Sequence, residues 1–451
     1  MGQKQKGANA IVEGIVWKNM LVFFFPILLG TIFQQLYNTA DAVIVGKFVG
    51  KEALAAVGGS AAQIMNLTIG FFVGLSSGAT VIVSQNFGAN DSHAVSRSVH
   101  TSIALAIIGG AIVMVVGLIF TPFLLEVMDT PKETVDGSAL YLRVIFFATI
   151  PNMVFNIGSG ILRAVGDSRR PLLFLIVCSL MNVALDLLFV LGFNMGVAGA
   201  ALATGLSQLC SAVLVCVSLR QTSDSYRLSV KKIYPHGDLM KKIIRIGIPA
   251  GLQTTMYTVS NMIITAGINS FGTTTVAAWV AQSKVDSMYW MINGAFGVTI
   301  ATFVGQNYGA NRHDRVRKCV KVWSLMSLGI SLLISTVILL VAKFLFGMFS
   351  EDREVIKLAM LFNWYVVPFY ALFLPIELLS GTLRGMGVTL VPTLMTAVGI
   401  CIFRTVWMFA VVPFWNSVPG IMVSYPISWF LTSIVFVVYY RKRRKVLLMY
   451  C

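Results

Sequence analysis

The chain has 451 residues, 57% of them hydrophobic and only 12% charged, with a net charge of +16 and a mean hydropathy of +0.82. That balance excludes a soluble globule and indicates an all-α polytopic membrane protein. The Lys and Arg lie between apolar segments, so the positive charge does not describe a nucleic-acid surface, and no nucleic-acid partner is expected.

Residues 1–20 are mostly polar and basic, and the first apolar run is too long for the core of a signal peptide, so no cleavable signal is expected. Twelve apolar segments follow, near 21–46, 54–84, 97–121, 138–162, 171–192, 198–219, 246–270, 277–305, 322–346, 358–383, 391–413 and 420–440. With the N-terminus inside, 25 of the 34 Lys and Arg fall on the inner side. Both termini are therefore expected in the cytoplasm, with RKRRK at 441–445 as an inner anchor. The six Cys (178, 210, 216, 319, 401 and 451) form no CxxC pair, and four lie in apolar runs, so they read as small hydrophobes. His93, His100, His236 and His313 fall in polar loops or at a segment end. Without HExxH, GxSG or a membrane His, an enzyme is not expected. The repeat and intramembrane acids described below likewise argue against a receptor or channel.

The first segment carries the most informative residues. Pro26 to Val45 is apolar enough to cross a bilayer, yet it contains Asp41, with Gln34, Tyr37 and Asn38 just before it. Spacings of four and three residues put Tyr37 and Asn38 on the face of Asp41. A carboxylate facing lipid costs roughly 2.5–3.5 kcal/mol on insertion scales, so Asp41 must face protein, water or a cation.

Self-comparison reveals a repeat. SQNFGAN at 84–90 recurs as GQNYGAN at 305–311, and GILRAVGDSRRP at 160–171 recurs as GTLRGMGVTLVP at 381–392, both at a shift of 221 residues. Pro26 finds Pro249, and Gly50 finds Gly272, with one or two residues of drift. Six helices per repeat is an even number, so the repeats enter the membrane in the same direction. The expected organisation is an N-terminal lobe at 1–219, a cytoplasmic linker at 220–245 and a C-terminal lobe at 246–451. The paired QN-[FY]-GAN loops read either as helix endings, where Gly and Asn tolerate positive φ, or as an inner hinge. Arg163 and Arg384, in the repeated L-R-x-x-G, lie at the inner interface. Pro26 and Pro249 open equivalent helices, and Pro151 and Pro368 break segments 4 and 10.

Together, FQQLYNTADAVIVGKFVG in segment 1, the paired QNxGA loops, L-R-x-x-G after segments 4 and 10, and N-x-x-x-D in segment 5 resemble the MATE (multidrug and toxic compound extrusion) family over essentially the whole chain. The resemblance implies two six-helix bundles around a central cleft. It also implies export of organic, often cationic, compounds in exchange for H⁺ or Na⁺, with no other cofactor. The expected setting is a prokaryotic cell membrane, with a monomeric protein and a small-molecule substrate. The alternative is a flippase for lipid-linked oligosaccharide or a related lipid, for which a more cationic cleft is expected than Lys284 and Arg404 provide.

Counting residues from the outer ends places Asp41, Asp186 and Thr204 at one depth, roughly 10 Å below the outer boundary. Asn182 lies one turn deeper on the face of Asp186. Two carboxylates that meet in a membrane cannot both stay ionised cheaply, so a shared proton or a Na⁺ between Asp41 and Asp186 is expected. The resemblance assigns Asp41, Asn182, Asp186 and Thr204 to the N-lobe cation site, with Tyr37 and Asn38 beside them. A shift of 223, as for Pro26 and Pro249, places Ile264 at the Asp41 position, and the shift of 221 places Phe403, Trp407 and Tyr425 at those of Asn182, Asp186 and Thr204, so the second half lacks such a site. Lys284, Asp286 and Arg404 read either as a buried ion-pair network or as a switch in which Asp286 alternates between Arg404 or Lys284 and substrate. Glu377 has no partner evident in sequence. Gln34, Met256, Tyr257, Asp286, Met288, Trp290, Arg404 and Trp407 are the substrate-cleft candidates, although core packing also explains the Met and aromatic residues.

Overall fold

A computed structural model describes residues 8–447, and Lys4, Lys6 and Cys451 lie outside them. Among the described residues the regular structure is helical throughout. The first half comprises α1 (Ala8–Glu13), α2 (Val16–Ile44), α3 (Lys51–Gly58), α4 (Ser60–Gly88), α5 (Ser92–Val127), α6 (Lys132–Phe147), α7 (Thr149–Ala164), α8 (Arg169–Asp186) and α9 (Gly196–Gln221). The second comprises α10 (Gly237–Asn269), α11 (Thr273–Gly309), α12 (His313–Gly347), α13 (Arg353–Val366), α14 (Leu374–Gly385), α15 (Leu390–Thr396), α16 (Phe403–Ala410), α17 (Val418–Met422) and α18 (Ser424–Leu447). Among the described residues, ten helical stretches are long and apolar enough to cross a membrane, or eleven when α6 and α7 count as one span bent by 50°. The expected segment at 246–270 is the body of α10. It carries Gln253, Thr254, Thr255, Ser260 and Asn261 and is not among those stretches.

Two proline expectations need correction. Pro26 and Pro249 do not open their helices but lie well inside α2 and α10. The bend between α6 and α7 falls at Ala148, three residues before Pro151. Pro368 stands in the short 3₁₀ segment Val367–Leu372 that joins α13 to α14.

The repeat is written into the backbone. Gly50 and Gly272 have φ of 117° and 92°, Asn90 and Asn311 of 58° and 55°, and Gly166 and Gly387 of 97° and 85°. In the paired loops the asparagine, not the glycine, takes the left-handed conformation, while Gly88 and Gly309 close their helices. The hydrogen bonds match as well. Asp91 N donates to Asn86 O (3.2 Å) where Arg312 N donates to Asn307 O (2.8 Å). After the second motif, Asp167 N donates to Leu162 O (2.9 Å) where Val388 N donates to Leu383 O (2.8 Å), the six-to-one bond that ends a helix at a left-handed glycine.

The chain forms two compact units, one containing Val22–Gly251 and the other Ala10–Leu21 with everything from Leu252 onward. Thus α2 and α10 each begin in one unit and end in the other. In the first unit, Ala79, Val83, Val99, Met153, Ile157 and Ile161 centre the core. There α10 starts against α4 through two glycine pairs, Gly74-x-x-x-Gly78 and Gly247-x-x-x-Gly251. A Cβ added at Gly74 would lie 2.2 Å from Gly251 Cα, and one at Gly78 2.4 Å from Ile243 O. Such small-residue pairs let membrane helices touch backbone to backbone. The linker closes on the same unit. Ser229 N donates to His100 Nε2 (3.0 Å), and Tyr226 packs edge-on against Phe87. In the second unit, Tyr289, Tyr370, Phe362 and Trp429 centre the core. Arg315 there holds the residues around α1, donating from Nη2 to Ile11 O (3.0 Å) and Gly14 O (2.8 Å) and from Nε to Asn307 Oδ1 (3.2 Å).

Candidate functional site

Asp41 comes from the last turns of α2 and Asp186 is the final residue of α8. Each stands just before a π-helical turn, Val45–Val49 and Leu187–Gly192, and the two turns pack on one another. A π turn widens the helix and re-aims the residues at its edge, which is why such turns recur at functional sites. Asp41 is 8% exposed, Asp186 0% and Asn182 1%. The two carboxylates lie within electrostatic reach of each other. Asn182 Nδ2 donates to Thr204 Oγ1 at 3.5 Å. Asp41 Oδ1, both carboxylate oxygens of Asp186 and Asn182 Oδ1 are buried without a hydrogen-bond partner.

Leaving such acceptors unpaired costs about 1–3 kcal/mol each, and more for charged groups. A cluster of bare oxygens fits a hard monovalent cation or a proton shared between carboxylates. No group of three or more His, Cys, Asp or Glu suited to a transition metal occurs among the described residues.

Tyr37 joins this cluster, close to both Gln34 and Asp41. Asn38 does not, because it is exposed. Consecutive residues on a helix diverge by about 100°, so Tyr37 and Asn38 flank Asp41 on opposite sides. One member went unread in the sequence. Tyr141, from the middle of α6, is 9% exposed and lies close to Asp41, Tyr37 and Asp186. No local motif marks it, since α6 is brought there by its packing on α3 and α9.

A polar cavity of about 110 Å³ adjoins the cluster and is lined by Gln34, Tyr37, Asn182 and Thr204 at one end and by Arg163 at the other.

In the second unit the equivalent positions are filled. Ile264 is fully buried, Trp407 Nε1 donates to Gly420 O (2.8 Å), Phe403 packs on Trp407, and Tyr425 lies beneath a guanidinium. The expected ion-pair network is absent: among the described residues the ion pairs are Arg97–Asp238, Arg170–Asp167 and Arg312–Asp314. Asp286 is instead satisfied by neutral donors, Gln282 Nε2 (2.8 Å) and the Tyr370 hydroxyl. Arg404 stacks 4.0 Å above the Tyr425 ring and donates from Nε to Ser428 Oγ (3.0 Å), while Lys284 is exposed. Glu377 fits against Gly297, where a Cβ would collide with its Oε1.

Of the substrate candidates, Gln34 belongs to the first unit's cavity. Tyr257 and Trp290 join an aromatic nest with Phe373 and Trp429, Met256 is half-buried, and Met288 is 55% exposed.

Comparison with known proteins gives the same picture. The MatE family model matches the chain twice, at residues 26–188 and 249–409, once per repeat. The probable multidrug resistance proteins YpnP and YoeA of Bacillus subtilis (strain 168) are 27% and 26% identical, over 97% and 94% of both chains respectively. The multidrug export protein MepA of Staphylococcus aureus (strain MSSA476) is 23% identical over 85% of each chain. Among solved structures, a MOP superfamily transporter from Pyrococcus furiosus superposes with a TM-score of 0.91 at 22% identity, covering 98% of both chains. An outward-facing MATE family multidrug resistance transporter superposes at 0.90, with the same identity and coverage. With both halves matched by one model and the whole length shared with multidrug resistance proteins, this multi-pass membrane protein belongs to the MatE family of transporters.

Proposed function

We propose that the chain is a secondary active exporter of organic, often cationic, compounds, exchanging them for H⁺ or Na⁺ bound at Asp41 and Asp186, with both termini cytoplasmic. The observation that carries this reading is the one-sided cluster of bare, buried oxygens around Asp41, Asn182 and Asp186. The relatives named for multidrug resistance and export support the substrate class. The concentration of Lys and Arg in alternate loops supports the orientation.

The chemistry follows from the site. When the carboxylates are ionised and empty, two buried negative charges oppose each other across the packed π turns. A proton or Na⁺ arriving from outside cancels that repulsion and favours a different packing of α2 on α8. An inward-moving elementary charge releases roughly 2.3 kcal/mol per 100 mV. That sustains about 1.7 decades of substrate gradient per charge.

The test is transport of a fluorescent organic cation in proteoliposomes under an imposed Na⁺ gradient or an imposed pH gradient. Asp41→Asn and Asp186→Asn are expected to abolish gradient-driven transport while the protein stays folded. Transport at the wild-type rate in Asp41→Asn refutes the coupling role.

A further inference from the structure

The linker closes one end of an apolar slot in the first unit. Past the end of α9 the chain doubles back on that helix: Leu228 N donates to Leu219 O (2.9 Å) and Arg227 Nε to Arg220 O (3.2 Å). It then crosses to α5, where Ser229 N donates to His100 Nε2 (3.0 Å) and Thr101 Oγ1 to Tyr234 O (3.4 Å). Behind this crossing α7 packs on both α5 and α9. The slot therefore has Val154 of α7 as its floor, Ile103 and Ile107 of α5 on one wall, Val213 and Val217 of α9 on the other, and Val230 of the linker at its closed end.

The slot encloses about 320 Å³, and among the described residues that line it only Arg220, in the last turn of α9, is charged. Its walls do not hold water, because an enclosed water needs two to four polar partners. Ile107, Val213 and Val217 are 41%, 52% and 43% exposed, so the slot opens sideways to lipid. From Arg220 back to Ala212 it follows α9 for roughly 12 Å. A helix about 10 Å wide would need about three times the space over that length, so a single extended alkyl chain is what fits. Charge gathers at the closed end. Between 220 and 232 the chain has Arg220, Arg227, Lys231 and Lys232 against one acid, Asp224. All four cations are exposed, and none takes part in the ion pairs found among the described residues. Lys231 and Lys232 share a 3₁₀ turn with Val230, which brings them to the end of the slot.

We propose that this slot binds one anionic phospholipid from the leaflet on the linker's side, with an acyl chain between α5 and α9 and the phosphate at Arg220, Lys231 and Lys232. An apolar channel ending in unpaired cations complements an amphiphile with a negative head, and basic residues at the membrane surface select such lipids over zwitterionic ones. Planar guanidinium suits phosphate, and Arg220 is the cation nearest the chain because it lines the slot itself. The bound lipid fills the gap that the crossing linker leaves between α5 and α9 and fastens the linker to the first unit. Neither the coupling ion nor the exported compound enters this recognition.

The test is photolabelling of the full-length protein in phosphatidylcholine vesicles doped with a trace of phosphatidylglycerol carrying a diazirine on one acyl chain, read by mass spectrometry. Label is expected to concentrate on Ile107, Val213 and Val217, at least fivefold above Leu332 and Leu333 of α12, which are 49% and 64% exposed. Label spread evenly over all five residues overturns the site, and this measurement needs no variant to fold. The same diazirine chain carried by phosphatidylcholine is expected to show no such concentration; equal concentration overturns recognition of the negative head. Arg220→Gln is expected to lower slot labelling by the phosphatidylglycerol probe about fivefold, the worth of one basic side chain beside an anionic membrane surface. Unchanged labelling in Arg220→Gln overturns the phosphate contact.

Discussion

Gly74→Ala is a direct probe of how the first unit is built. The added methyl would sit 2.2 Å from the Cα and backbone N of Gly251 and 2.9 Å from the carbonyl carbon of Ala250. Ordinary contact begins at 3.4 Å, so α4 and α10 must part by more than 1 Å. The obstruction is backbone on both sides, so no side chain can rotate away. Overpacking of this kind costs about 1–3 kcal/mol. Against it stands the gain of about 0.4–1 kcal/mol from reduced freedom of the unfolded chain. The net expectation is a loss of up to about 2.5 kcal/mol. Gly294→Ala on α11 is the matched control, because a Cβ there meets nothing within 4 Å and only the gain remains. The assay is unfolding of the purified protein in detergent micelles, followed by tryptophan fluorescence, with both variants beside wild type. A gain of stability in Gly74→Ala equal to that in Gly294→Ala refutes the backbone-to-backbone packing, and Gly294→Ala less stable than wild type refutes the entropy argument.

Arg315→Ala removes the donors that hold Ile11 O and Gly14 O. Each charge-assisted bond is worth about 1.5–3 kcal/mol, so limited proteolysis within residues 11–15 is expected to accelerate at least tenfold, and an unchanged rate contradicts the docking. Arg404→Met tests the buried guanidinium, which is 4% exposed, has no partner at Nη2 and forms no ion pair. A buried charge without a counter-ion is poorly offset by one hydroxyl and the rings of Tyr425 and Trp429, so Arg404→Met is expected to match or exceed wild type in thermal unfolding; a clear loss of stability shows that the ring contacts outweigh the desolvation.

Much of this was legible in the sequence because membrane physics leaves few choices. Apolar runs must be helices in lipid, and the 221-residue shift predicts the paired left-handed residues, which recur at Asn90 and Asn311 and at Gly166 and Gly387. Depth counting places Asp41, Asp186 and Thr204 at one level; the structure brings Asp41 within electrostatic reach of Asp186 and Thr204 to Asn182. Local spacing fails where the partner comes from far away. Tyr141 reaches Asp41 from 100 positions along the chain, and Asp286 is satisfied by Gln282 and Tyr370, neutral residues that charge counting ignores. The π turns after Asp41 and Asp186 have no composition of their own. The polar lining of the cavity along α7 was in the letters Asn152, Asn156, Ser159 and Arg163, but one helical stripe acquires meaning only when two others face it.

The exchange of leading segments between the units carries a consequence for how the protein is made. Ile11 and Gly14 leave the ribosome well before the arginine that binds their carbonyls, which follows 304 and 301 positions later. The first unit needs only the chain up to Gly251, so it can finish packing while the second is still being translated. The opening residues must wait through that whole interval. Separating the halves at the linker would leave the later one without the segment that Arg315 holds, and coexpressed fragments would reassemble best when the cut follows Gly251 and the opening residues are supplied to the second fragment.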